Sequence, residues 1–223
     1  MLRRLCILVL LPPVAHGCTN ILVTKGAAHD GTNHLAYNAD DAAMLGAVSH
    51  WPAASHTSTE QRPVYSWDLG IYLGSIDQPP KTYNVMGNAN CQGLVISETT
   101  HGGRKELSNV GKTHLNGTVL DYGSLIYVTL SRAATAKEAI RIMAALVEQY
   151  GYASDMEGFS IADADEVWYM EFIAKGGFEK GAVWVALRVP DGQITAHANQ
   201  ARITTFLPCV DADKCMMEPD VVT

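Results

Sequence analysis

Strand-like runs stand at both ends of this 223-residue chain with a helical block between them, and that order constrains the fold more than any single motif. Asn20-Ile21-Leu22-Val23-Thr24 reads as a strand, and residues 35–38 follow as a second across Asp30-Gly31, a favourable hairpin turn pair. Residues 94–97 form a further short apolar strand, while the Pro-, Ser- and Thr-rich stretch 41–81 predicts irregular loops and short strands. The clearest helix is predicted over residues 135–150. Thr135 caps it, Glu138 stands three residues on as in a capping box, Ala136, Ile140, Met143, Val147 and Tyr150 form one stripe, and Gly151 ends it. Residues 123–132 are apolar nearly all round and fit a buried helix or a strand equally. Residues 159–162 and 167–172 read as a hairpin, as do 182–189 and 193–197 around Pro190-Asp191-Gly192. Segregated strands, helices and strands predict an α+β fold with antiparallel sheets instead of a parallel doubly wound one. Residues 209–223 carry no recognisable closing element.

Composition narrows the partners. Hydrophobic residues at 48% and charged residues at 17% suit one buried core and exclude collagen-like, coiled-coil and low-complexity chains. Sixteen Lys and Arg against 23 Asp and Glu give a net charge of -7, so a nucleic acid finds no basic surface. Met1-Leu2-Arg3-Arg4, the apolar run 5–11, Pro12-Pro13 and Ala15-His16-Gly17 read as a secretory leader over residues 1–17, leaving a domain over 18–223. The run is too short to span a bilayer, and no later stretch approaches about 18 uninterrupted apolar residues, so no membrane span is expected.

That leader implies the secretory pathway, with an extracellular or lysosome-like destination, and it reorganises the five cysteines. Cys6 leaves with it; Cys18 becomes the first residue; Cys209 and Cys215, with five residues between them in an oxidising compartment, are expected to bridge. Asn116-Gly117-Thr118 is an N-glycosylation acceptor. His29, His34, His50, His56, His101 and His114 show no metal-ligand spacing, and Gly102-Gly103 lacks the phosphate-binding fingerprint, so no metal or cofactor is expected.

A cysteine made N-terminal carries a thiol with a reference pKa of ~8.5 beside an α-amine at ~7.7 to 8.0. The amine can take the thiol's proton, and the thiolate can attack an amide carbonyl to give a thioester that water resolves. Such a site needs a polar group to orient the amine and donors for the oxyanion.

Cys18-Thr19-Asn20-Ile21-Leu22-Val23 with Asp30-Gly31, Tyr37-Asn38-Ala39-Asp40, residues 93–98 with Gly102-Gly103-Arg104, Asp121-Tyr122-Gly123-Ser124, Glu157-Gly158-Phe159-Ser160-Ile161-Ala162-Asp163, and residues 184–192 running on to Ala198-Asn199-Gln200-Ala201-Arg202-Ile203 together resemble the N-terminal-nucleophile (Ntn) cysteine hydrolases, specifically the PepD and secernin-like cysteine dipeptidases. The resemblance covers residues 18 to about 206. It implies a four-layer αββα sandwich, Cys18 as nucleophile with its own amine as base, Asp40 orienting that amine, and Asn199 at the oxyanion or substrate site. Tyr37, Asn38, Glu98, Thr100 and Arg202 become expected substrate-binding residues. This chain carries Tyr37 where related cysteine amidases carry Arg, and family members continue well past residue 223, so the sandwich is expected to be incomplete at its C-terminus.

The expected activity is dipeptide hydrolysis. Alternatives are an amidase or acylase acting on another C–N amide bond, and a non-catalytic secreted binding protein on the same fold. The expected partner is a dipeptide or small amide; a homo-oligomer is left open. Without the resemblance, Cys18 reads as a disulfide cysteine, Asp40 as a cap or solvated turn, Asn199 as a turn residue and Arg202 as an ion-pair partner.

Overall fold

The computed structural model describes residues 17–40, 46–109, 118–177, 179–204 and 209–222. The expected leader, apart from Gly17, and the glycosylation acceptor Asn116 lie outside them.

Strand β1 (Gly17–Val23) pairs with β2 (His34–Asp40) across the loop that contains Asp30-Gly31, as the sequence predicts. The stretch that follows supplies short pieces: β3 (His50–Trp51), β4 (Ala54–Ser55), β5 (Gln61–Tyr65), β6 (Tyr72–Asp77), β7 (Lys81–Thr82), β8 (Val85–Met86) and β9 (Ala89–Asn90). Then come β10 (Val95–His101), α1 (Tyr122–Leu130), α2 (Ala136–Tyr150), β11 (Met156–Ala162), β12 (Val167–Ala174), β13 (Ala182–Arg188), β14 (Ile194–His197), β15 (Cys215–Met217) and a closing 3-10 turn, Pro219–Val222. The long strands form an antiparallel sheet in the order β15-β13-β12-β11-β10-β9-β8-β3, and β14-β1-β2 form a second, smaller one.

Helix α2 forms for the reasons visible in its sequence. The Thr135 hydroxyl accepts from Glu138 N at 3.3 Å, and Gly151 ends the helix at φ 75°, a left-handed value that glycine adopts without strain. The reciprocal arm of the box shifts by one residue, because the Glu138 carboxylate takes Ala134 N (2.7 Å). Ala136, Ala139, Ile140, Met143, Leu146 and Val147 are buried against the large sheet.

The ambiguous segment is helix α1, decided by its ends. Asp121 caps it in a box with Ser124, and the buried Asn90 amide donates to Leu130 O (2.7 Å) and Ala133 O (2.8 Å) just past its last turn. It is apolar all round because it is enclosed all round.

Alternation in the strands separates two interfaces. Ile96, Phe159, Ile161, Trp168, Met170 and Phe172 face the helices and form the main core. On the opposite face Ala162, Val167 and Val189 meet Leu22 and Leu35 of the small sheet. Both helices lie on one side of the large sheet.

One predicted pairing is corrected. Residues 182–189 and 193–197 do not form a hairpin: β13 stays in the large sheet and β14 joins β1 in the small one. The free edge of β13 is taken by β15, anchored by the expected Cys209–Cys215 bridge (Cα–Cα 5.3 Å). Asp191 meanwhile accepts from Gly26 N (2.7 Å), and Gln193 N donates to the Thr24 hydroxyl (3.0 Å), which leads the chain across to β1.

Candidate active site

Antiparallel register brings together the two expected catalytic residues most distant in sequence, Cys18 and Asn199. Asn20 pairs with His197, so two residues back along β1 and two residues beyond β14 place Cys18 beside Asn199. Cys18 N donates to Asn199 Oδ1 at 2.6 Å, and Asn199 Nδ2 donates to Thr100 O at 2.6 Å. Thr99 Oγ1 fixes the intervening turn by donating to Ala198 O (2.8 Å). Asn20 pins β1 to β10: its Nδ2 donates to Glu98 O (2.8 Å), and its Oδ1 accepts from Ser97 Oγ.

Alternation along β10 then divides its residues. Ser97 and Thr99 face the small sheet, whereas Glu98 and Thr100 share the helix-facing side with Ile96. Thr100 pairs with Glu157 of β11, and Glu98 pairs with Phe159, which makes Glu98 and Glu157 diagonal neighbours on one face. Tyr37 reaches over from β2 and donates to Glu98 Oε1 at 2.7 Å; Thr100 Oγ1 donates to Glu157 Oε1 at 3.1 Å. The Glu98 and Glu157 carboxyls are neighbours on this face, and the Tyr37 hydroxyl stands near the Cys18 thiol. The result is a polar circuit around Cys18 made of Tyr37, Glu98, Glu157, Thr100 and Asn199, hydrogen-bonded from Tyr37 to Glu98 and from Glu157 through Thr100 and Asn199 to Cys18.

Burial sets the protonation in that circuit. It raises the Glu98 carboxyl above the usual range, and it raises Glu157 strongly, with the Glu98 charge adding to the effect. Burial also raises the Cys18 thiol, and the Glu98 charge adds to it, against the lowering effect of the Asp40 N–H, the Tyr37 hydroxyl and Asn199. Tyr37 is itself raised, by burial first and Glu98 second, and stays a neutral donor.

Two cavities flank the circuit. One, of about 70 Å³, is walled by Trp51, Trp67, Tyr122, Ile126 and Tyr127 and reaches Tyr37 and Glu98. The other, of about 330 Å³, reaches Thr100 and Glu157 and is lined by Asp68, Asp121, Asp155 and Leu69. The loop between β5 and β6 separates them and is fastened to the start of α1, because Asp121 accepts from Trp67 N and Tyr122 OH donates to Asp68 Oδ1 (2.6 Å). A side chain at Gly123 would collide with the Trp67 ring, so this position requires glycine.

Of the residues expected from sequence, Cys18, Tyr37, Glu98, Thr100 and Asn199 come together. Asp40 is placed differently from Asn199: its exposed carboxylate accepts from Asn38 Nδ2 (2.8 Å), and its main-chain N–H is the group directed at the thiol. Asn38 is exposed beside it. Arg202 is exposed, and its main-chain N donates to Glu171 on the other face of the large sheet. Sequence reading passed over Glu157 as a site residue, along with Asp68 and Tyr122. It also passed over buried His197, held by Thr99 at Nδ1 (2.8 Å) and Ser160 at Nε2 (2.6 Å). The Thr99 proton is committed to Ala198 O, so the imidazole carries its hydrogen on Nδ1 and accepts from Ser160 at Nε2. The signals available for Glu157 were a carboxylate within the largely apolar run Met156–Ala162 and its place in the segment Glu157-Gly158-Phe159-Ser160 that carries the family resemblance.

The model of peptidase family C69 matches residues 17–223. The chain is similar to a probable dipeptidase of Salmonella dublin, 28% identical over 92% of this chain and 48% of that protein. It is also similar to a dipeptidase of Bifidobacterium longum, 24% identical over 85% of this chain and 38% of that one, and over a shorter stretch (36% of this chain, 16% of that protein) to dipeptidase A of Lactobacillus helveticus at 32% identity. The chain spans about half or less of the length of these relatives.

Proposed function

This chain belongs to peptidase family C69, and we propose that it is a cysteine-type dipeptidase whose nucleophile is Cys18, freed by removal of residues 1–17. The observation that carries the reading is the Cys18 N to Asn199 Oδ1 bond of 2.6 Å, which holds the nitrogen of the nucleophile itself. As an amide following Gly17 that nitrogen has no basicity; as a free amine at ~8 it can take the thiol proton.

In this mechanism Sγ adds to the peptide carbonyl carbon while its proton passes to the Cys18 amine. The C–N bond then breaks, the leaving amine receives that proton, and a thioester remains. Water, deprotonated by the same amine, displaces Sγ and releases the acid. Asn199 orients the amine, and the Asp40 N–H beside the thiol serves the developing oxyanion. Removal of Gly17 also takes away the residue paired with Asp40, leaving Asp40 main-chain groups facing the reaction.

The finer fold expected is the four-layer Ntn sandwich. It is supported by the outer face of the small sheet, where Ile21 and Ile194 stand 44% and 64% exposed and a further layer would cover them. Passage through the secretory pathway and a glycan at Asn116 belong to the same reading.

The test is the protein recovered from a secretory host, its first residue read directly, and its hydrolysis of free and N-acylated dipeptides. We expect a chain beginning at Cys18, preference for the free dipeptides, and at least about a 1,000-fold loss of kcat in Cys18→Ala. Full activity in Cys18→Ala refutes the nucleophile; preference for the acylated substrates favours the amidase reading. Absence of hydrolysis with an unreactive Cys18 favours the binding protein.

A further inference from the structure

Among the described residues, no Lys, Arg or His side chain pairs with the carboxyls beside Cys18. Glu98 and Glu157 are 3% and 1% exposed, and Oε2 of each has no hydrogen-bond partner among the described residues. Asp68, Asp121 and Asp155 stand around the adjoining cavity. Neither cavity is lined by a Lys, Arg or His, and none of these five carboxylates enters an ion pair among the described residues. A buried negative charge without a partner is costly, and a site retains one where a cationic ligand supplies the partner. An ammonium group entering here would meet two unpartnered carboxyl oxygens and supply the positive charge they lack.

The reach fits as well. In a dipeptide the α-nitrogen is separated from the scissile carbonyl carbon by two covalent bonds, about 2.5 Å across. Tyr37 OH stands near the Cys18 thiol and lies 2.7 Å from Glu98 Oε1, so a carbonyl presented to Sγ can direct its ammonium group towards the carboxyl pair.

We propose that Glu98 and Glu157 form the subsite for the free α-ammonium group of the substrate, and that the aromatic cavity of Trp51, Trp67 and Tyr127 receives the side chain of that same residue. The inference rests on the dipeptidase reading and deepens it. It assigns the class of substrate as amides of unblocked amino acids with an apolar side chain, and it makes Glu157 a specificity-determining residue.

The experiment compares Phe-Gly with 3-phenylpropanoyl-glycine, which keeps the amide and the ring and lacks the ammonium group, on the processed enzyme. We expect kcat/KM to favour Phe-Gly by at least about 100-fold, and the ratio to fall below about 5 in Glu157→Gln, mostly through KM for Phe-Gly. A wild-type ratio near one, or a full ratio in folded Glu157→Gln, overturns the subsite. Calorimetry on Cys18→Ala with phenylalaninamide and 3-phenylpropanamide tests it without altering the carboxyls. Binding of the cation at least about 100-fold tighter supports it, and equal binding overturns it. If the processed enzyme hydrolyses no dipeptide, the dipeptidase reading fails while this calorimetric comparison still decides the ammonium subsite.

Discussion

Between pH 5 and 6.5 two buried groups pull the stability of this fold in opposite directions. Burial, reinforced by the charges of His101 and Arg202, lowers the His197 pKa from 6.5 to about 4, so the folded protein keeps the imidazole neutral where the unfolded chain protonates it. The unfolded state then binds more protons, and stability rises with pH at up to about 1.4 kcal/mol per unit. This contribution is complete above pH 6.5 and is lost as pH falls towards about 4, at most about 3 kcal/mol in all. Glu157 acts with the reverse sign. Its folded pKa is raised, so the folded state holds a proton that the unfolded chain has released, and stability falls as pH rises. The wild-type profile should therefore be shallow across this window. His197→Asn, which keeps a donor towards Thr99, removes the rising component, and Glu157→Gln removes the larger share of the falling one, to which the raised Glu98 carboxyl also contributes. Urea unfolding at half-unit pH steps and fixed ionic strength should give wild-type minus His197→Asn differences that climb by about 1 kcal/mol per unit from pH 5 to 6.5 and level off above 7. The difference for Glu157→Gln should slope the other way. Parallel profiles for all three proteins would refute the assignment of buried, oppositely shifted groups.

Three further outcomes follow from the geometry. Tyr37→Phe deletes the hydroxyl between the Cys18 thiol and Glu98, and should lower kcat/KM on dipeptides roughly tenfold and change the alkylation rate of Cys18 while leaving the unfolding midpoint nearly constant. Asp163 accepts from Ala136 N (2.7 Å), Asp165 N (2.8 Å) and Glu166 N (2.8 Å), so Asp163→Ala should cost about 2 to 3 kcal/mol in urea unfolding with kcat/KM unaltered. Replacing Cys209 and Cys215 by Ser opens a small loop, with a sequence separation of 6, and should cost about 2 kcal/mol, with thiol counting before and after reduction confirming the bridge.

Local chemistry made α2 legible, since its cap, its stripe and its terminal glycine lie within one short stretch. The β11–β12 hairpin was legible for the same reason. Residues 182–197 misled because two strands joined by a turn look alike whether they pair with each other or part to different sheets; competition from β15 and the Asp191 contact, both remote in sequence, decide it. The site divides along the same line. Cys18, Tyr37, Glu98, Thr100 and Asn199 were readable through the family pattern. Glu157 lies in a segment of that pattern, but its place beside Glu98 depends on cross-strand register, and Asp68 sits in a stretch whose composition carries no periodicity.

The division of labour along β10 decides where this protein can change. Ser97 and Thr99 hold the small sheet, Glu98 and Thr100 build the circuit, and a single inserted or deleted residue would exchange the two sets at once. Variation there is confined to paired replacements that preserve parity. The loop between β5 and β6 has no such constraint: Trp67, Asp68 and Leu69 border both cavities without belonging to either sheet interface. New preferences for the substrate side chain should therefore arise by remodelling this loop, over a strand that cannot slide.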